Sequence, residues 1–125
     1  MPVTSVTASV LVLLLAALSI NVSRLRIRYK VSFGFAQHKD LEVAIRAHGN
    51  TLEQALVFLP LLLLAEMQQP ALPWLGGMGL AFVCARLTHS AAVFSRQLRL
   101  RQLAHMVTLG LQLALACKLL WVHLP

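Results

Sequence analysis

The stretch VTSVTASVLVLLLAALSINVSRLRIRYK, residues 3–30, decides the fold. Its first twenty positions carry no charge, and Arg24, Arg26, Arg28 and Lys30 then follow at every second residue. An α-helix advances about 1.5 Å per residue, so roughly twenty apolar residues cross the ~30 Å hydrocarbon core of a bilayer, and cations collect where the core ends. The stretch has no basic leading region and no small-residue cleavage site before a soluble domain. It reads as a retained transmembrane helix and not as a signal peptide.

The rest of the chain has the same character. Of its 125 residues 58% are apolar and 12% charged, and the mean hydropathy is +0.75. A soluble domain carries about 25% charged residues, so the polar shell that a water-exposed fold needs is missing. Two cysteines, Cys84 and Cys117, sit in apolar runs and cannot frame a disulfide scaffold. The length allows one domain, residues 1–125. The net charge of +7 does not indicate nucleic acid, because the cations bunch at the edges of apolar segments.

Four stretches are long and apolar enough to span: about 3–22, 43–65, 74–94 and 103–124. The expected architecture is all-α, an up-and-down bundle of four transmembrane helices. The links at 23–42 and 95–102 (SRQLRLRQ) are basic, whereas that at 66–73 (EMQQPALP) has no Lys or Arg. Both basic links fall on one face, which the positive-inside rule places in the cytoplasm with both termini opposite. Pro70 and Pro73 predict a tight turn between the second and third helices, and Pro60 a kink above Leu56. No internal repeat suggests an inverted-repeat transporter.

The apolar runs are interrupted by ionisable groups. Arg46, Asn50 and Glu53 stand at spacings of four and three on the second helix, within a sector of about 60°. Arg86, His89 and Ser90 likewise share one face of the third. A charge in mid-bilayer costs at least ~2.5 kcal/mol, so both sets should point into the bundle. Counted from the basic end, Glu53 and Arg86 both lie about 13–17 Å deep, and an Arg86–Glu53 ion pair is expected. Arg46 has no acidic residue at i+3 or i+4. A cation without a local anion invites an anionic ligand, and the arginines at 24, 26, 28, 96, 99 and 101 surround the same mouth. They suit lipid phosphates or a small polyanion such as a tripeptide with two carboxylates.

His105 begins the fourth helix near that mouth, where it could touch a ligand, while His48 points away from the Arg46 face and His38 should lie in solvent or headgroups. The histidines show no HxxxH or HExxH spacing, so no metal is expected. Ala81 and Ala85 form a small-xxx-small face suited to close helix contact.

The string RAHGNTLE at 46–53, with SRLRIRYK at the end of the first helix, RLTH at 86–89 and the arginine-rich loop before the fourth helix, resembles the MAPEG family, the membrane-associated proteins in eicosanoid and glutathione metabolism. It looks most like the short bacterial members. The resemblance implies a homotrimer of four-helix subunits in the bacterial inner membrane, with glutathione bound between neighbours at the cytoplasmic side. Arg46, Asn50 and Glu53 would hold the peptide, with His89 and His105 beside it. Arg26 or a neighbour would meet a carboxylate, and Arg99 or Arg101 would sit by the sulfur. The implied activity is a glutathione-dependent transferase or peroxidase acting on hydrophobic small molecules that arrive from the bilayer lipids.

The chain departs from the family pattern at Gln54 and Leu56, where many members have an aromatic residue and a proline. Site tyrosines are replaced by Val93 and His105, and Tyr29 is the sole tyrosine. Thiolate stabilisation must then come from arginine. A non-catalytic binding or scaffold protein of the same fold is the alternative. A small four-helix exporter would need a carboxylate in the first helix, which has none.

Overall fold

The computed structural model describes residues 2–68 and 73–124, without the side chain of His123. Four α-helices run in order: α1 Pro2–Tyr29, α2 Lys39–Gln68, α3 Pro73–Phe94 and α4 Leu98–His123. Each is long and apolar enough to cross a membrane. All but α3 outrun the apolar stretches that announce them, because backbone hydrogen bonding does not stop where the hydrocarbon does. α2 starts four residues before Val43 and α4 five before Leu103. α2 continues through Pro60 without interruption. The expected turn at 70–73 lies outside the described residues except for Pro73, which opens α3, where its missing amide hydrogen costs nothing.

α2 and α3 form the centre of the bundle. α1 packs on both from one flank and α4 on both from the other, and among the described residues α1 does not touch α4. The seam of α1 is a single stripe, Thr7, Leu11, Leu18 and Leu25, with Val6, Leu13 and Ile20 exposed on its outer surface. In the middle, Phe58 of α2 stacks on Phe82 of α3, ring centroids 3.8 Å apart and nearly parallel, among Leu11, Leu62, Leu75 and Leu115. α1 approaches α3 closely at Gly79. Thr7 lies so near Gly79 that a β-carbon there would collide with its hydroxyl.

Glu66 belongs to α2, not to a link. It is fully buried, and its two carboxylate oxygens accept the backbone amides of Val3 and Thr4 at 2.9 Å each. The first amides of a helix have no partner inside it and carry its positive dipole end, so a carboxylate there both bonds and neutralises them.

At the opposite, basic end α1 and α3 close in the same way. Val31 N donates to Arg26 O at 3.0 Å and Lys30 N to Ile27 O at 3.3 Å. Gln97 N donates to Ala92 O at 2.9 Å and Arg96 N to Val93 O at 3.2 Å. These are Schellman closures, whose left-handed residue is usually glycine. Here Lys30 (φ 55°) and Arg96 (φ 58°) occupy it, placing a cation at each negative helix end.

Candidate functional site

Between α2, α3 and α4, towards the basic end, lies a cavity of about 570 Å³. Arg46, Asn50 and Glu53 line it from α2, His89 and Val93 from α3, and Arg101, Gln102 and His105 from α4. A smaller recess of about 300 Å³, between Lys39, Glu42 and Gln97, meets it at Arg46, Val93 and Arg101. Six of the residues that the sequence singles out for binding or catalysis are therefore brought to one place.

Two are not. Arg26 turns to the α1–α2 loop and donates to the carbonyls of Gly34 at 2.8 Å, Ser32 at 3.4 Å and Val31 at 3.5 Å. Arg99 is exposed and does not line the cavity, whereas Arg101, two residues on, does.

The expected Arg86–Glu53 ion pair does not form within the chain. Arg86 is fully buried and donates one terminal nitrogen to Asn50 Oδ1 at 2.8 Å and the other to Thr108 Oγ1. Glu53 is exposed on the cavity wall. A guanidinium offers five N–H groups in a plane, and two neutral oxygens, one on α2 a turn from the carboxylate and one on α4, satisfy two of its corners. Thr108 was not apparent from the sequence, because a threonine on an apolar helix normally bonds its own preceding turn, and this one also does so, to Ala104 O at 3.0 Å.

Arg46 is also not free of local acid. Glu42, one turn earlier, accepts from its Nε at 3.2 Å and from its Nη2 at 2.9 Å. The i−4 position escapes a search confined to i+3 and i+4. With the Arg46 side chain 68% exposed, this pair contributes only a few tenths of a kcal/mol and leaves the guanidinium able to turn into the cavity.

Further polar ties hold the walls. Gln112 Nε2 donates to Gln54 O at 3.2 Å and to Gln54 Oε1 at 3.0 Å, and the hydroxyls of Thr51 and Ser90 lie 3.4 Å apart. His89, 5% exposed, faces His105 across 6.4 Å. The Nδ1 atoms of both imidazoles and the Nε of Arg86 are buried without a hydrogen-bond partner among the described residues. Orphaned polar atoms are costly in an apolar interior, and those of the two imidazoles belong to residues lining a cavity able to admit a polar guest. His48 is half-buried and does not line the cavity. His38, expected in solvent, stacks on Tyr29 at 3.8 Å, while the phenol donates to Asp40 at 2.5 Å. The single phenol of the chain is thus engaged outside the cavity. No group of three metal-ligating side chains occurs among the described residues.

The surrounding charges favour an anionic guest with one cationic group. Arg46 and Arg101 suit carboxylates, while Glu53 and Asn50 suit an ammonium and amides.

The four spans agree with what the chain is similar to. The MAPEG family model matches residues 4–121. The inner membrane protein YecN of Escherichia coli strain K12 is 33% identical over 90 residues, covering 72% of this chain and 69% of the relative. YecN of Escherichia coli O6:H1 matches to the same extent. The chain is an integral membrane protein, and it belongs to the MAPEG family.

Proposed function

We propose that the protein is a glutathione-dependent membrane transferase or peroxidase acting on hydrophobic electrophiles or lipid hydroperoxides. One observation carries the reading: Arg46, Asn50, Glu53 and Arg101 converge on a single cavity of about 570 Å³ with His89 and His105 in its wall. In this reading Arg46 holds a carboxylate of the tripeptide, Glu53 its ammonium and Asn50 an amide. Glutathione supplies the thiol, and the Arg101 guanidinium lowers the cost of a thiolate at that position. Arg101, and not Arg99, takes this role because it lines the cavity.

The cavity is completed in a homotrimer. Glu53 is exposed in the single chain although it lies within a candidate span, and a carboxylate facing acyl chains costs several kcal/mol. A neighbouring copy over α2 removes that cost. The basic end faces the cytoplasm, as the loop charges favour, with both termini on the other side of a bacterial inner membrane.

Calorimetric titration of the purified protein with glutathione should give a saturable isotherm that Arg46→Ala weakens at least tenfold. Turnover of an aryl halide or a lipid hydroperoxide should fall at least a hundredfold in Arg101→Ala and stay near wild type in Arg99→Ala. Saturable binding without turnover would favour the second reading, a binding protein of the same fold, which gains support from Tyr29 being engaged by Asp40 away from the cavity. No binding at all would refute the glutathione reading and leave a scaffold of the same fold.

A further inference from the structure

A second recess, of about 270 Å³, lies on the α1 flank of the basic end; it shares no lining residue with the larger cavity and borders the recess beside Lys39, Glu42 and Gln97 at Val43 and Arg96. Three arginines line it: Arg24 and Arg28, one turn apart on α1, and Arg96 after the end of α3. Asp40 is the only carboxylate on its wall, and that group already accepts from the Tyr29 hydroxyl at 2.5 Å and the Leu41 amide at 3.0 Å. Among the described residues none of the three arginines has an ion pair, and Arg24 is steadied by donating to Asn21 Oδ1 at 3.0 Å.

Depth identifies the environment. Trp74 and Trp121 lie at the other end of the bundle, where aromatic side chains mark an interface. Twenty residues, about 30 Å of helix, separate Trp74 from Phe94, so Arg96 stands just beyond the hydrocarbon. α1 runs parallel to α3 with Thr7 beside Gly79, and the same offset sets Arg24 level with Arg96. That is the level of lipid phosphates. Below it, Ile20 (69% exposed) and Phe94 (43%) offer an apolar surface to acyl chains.

Arg96 holds the left-handed closing position of α3, which glycine fills without strain.

We propose that this recess binds the phosphate of an anionic phospholipid, gripped by the guanidinium groups of Arg24, Arg28 and Arg96, which match phosphate oxygens in bidentate fashion. The inference does not depend on glutathione chemistry.

The test is native mass spectrometry of the full-length protein released from nanodiscs containing phosphatidylglycerol and phosphatidylcholine in equal amounts. Wild type should retain phosphatidylglycerol over phosphatidylcholine by about a hundredfold, as three cations at the headgroup level imply. The preference should fall to a few-fold in the Arg24→Gln, Arg28→Gln, Arg96→Gln triple variant and persist in Arg99→Gln. Arg96→Gly guards against misfolding: its backbone suits the position, so it should melt no lower than wild type yet lose most of the preference. Inorganic phosphate and glutathione, added as soluble competitors, should not displace the lipid. Equal retention of both lipids, an unchanged preference in the triple variant, or displacement by either soluble anion would overturn the proposal.

Discussion

Arg86 on α3 donates to Asn50 Oδ1 on α2 at 2.8 Å, and through its other terminal nitrogen it reaches Thr108 on α4, so one buried guanidinium joins the three helices that wall the cavity. Asn50 stands in the cavity wall and in this network at once. The network sets where the wall lies, and its removal should be felt in both stability and binding.

Asn50→Ala and Thr108→Val should each lower stability by about 1–3 kcal/mol, the range for losing a hydrogen bond to a buried charged group. Their effects should be non-additive, since both act through Arg86. Glu53→Gln should lower stability far less than either of these, since Arg86 bonds Asn50 and Thr108 and not Glu53. Thermal unfolding in detergent, for the single variants and the double variant, measures all of these. A large loss from Glu53→Gln would reinstate the ion pair that the structure argues against.

Glu66→Ala should release the start of α1. It removes the acceptor of two backbone amides at a positive helix end, a change worth about 1–3 kcal/mol. Glu66→Gln keeps a carbonyl oxygen and should lose less. Hydrogen–deuterium exchange of the peptide covering Val3 and Thr4 should quicken in Glu66→Ala while the basic end of α1 stays protected.

Gly79→Val should destabilise by about 1–3 kcal/mol, because the new side chain runs into Thr7, and Thr7→Ala should recover part of the loss. Gly76→Ala and Gly77→Ala meet no atom within 4 Å and exchange glycine for a better helix former. They should leave the melting temperature unchanged or raise it. A uniform loss across all three positions would mean that α1 does not approach α3 at Gly79.

Arg26→Ala should free the loop that joins α1 to α2. Its guanidinium holds the carbonyls of Val31, Ser32 and Gly34, and Phe33 at the loop tip is 91% exposed. Limited proteolysis should cut within residues 31–37 several times faster in the variant, with glutathione affinity unchanged.

The spans were legible because hydropathy reports the thickness of the hydrocarbon. Helix ends such as Lys39 and Leu98 were not, since the helical hydrogen-bond ladder continues into headgroups, where composition changes and conformation does not. Arg46, Asn50 and Glu53 could be placed on one face by spacing alone. The partner of Arg86 could not, because Asn50 and Glu53 stand within one turn of each other, and a depth estimate based on charge favours the carboxylate over neutral oxygens. Glu66 was hidden by its neighbours: EMQQPALP reads as a polar connector, and only the fold brings the start of α1 against it.

Among the described residues α1 and α4 lie on opposite flanks without meeting, and none of α1 lines the larger cavity of its own chain. The outer surface of α1 is accordingly released from duty to that chamber. Substitutions there can retune the helix to a different bilayer thickness or a different neighbour while the chamber keeps its shape, which makes α1 the element along which such a chain can adapt to a new host membrane.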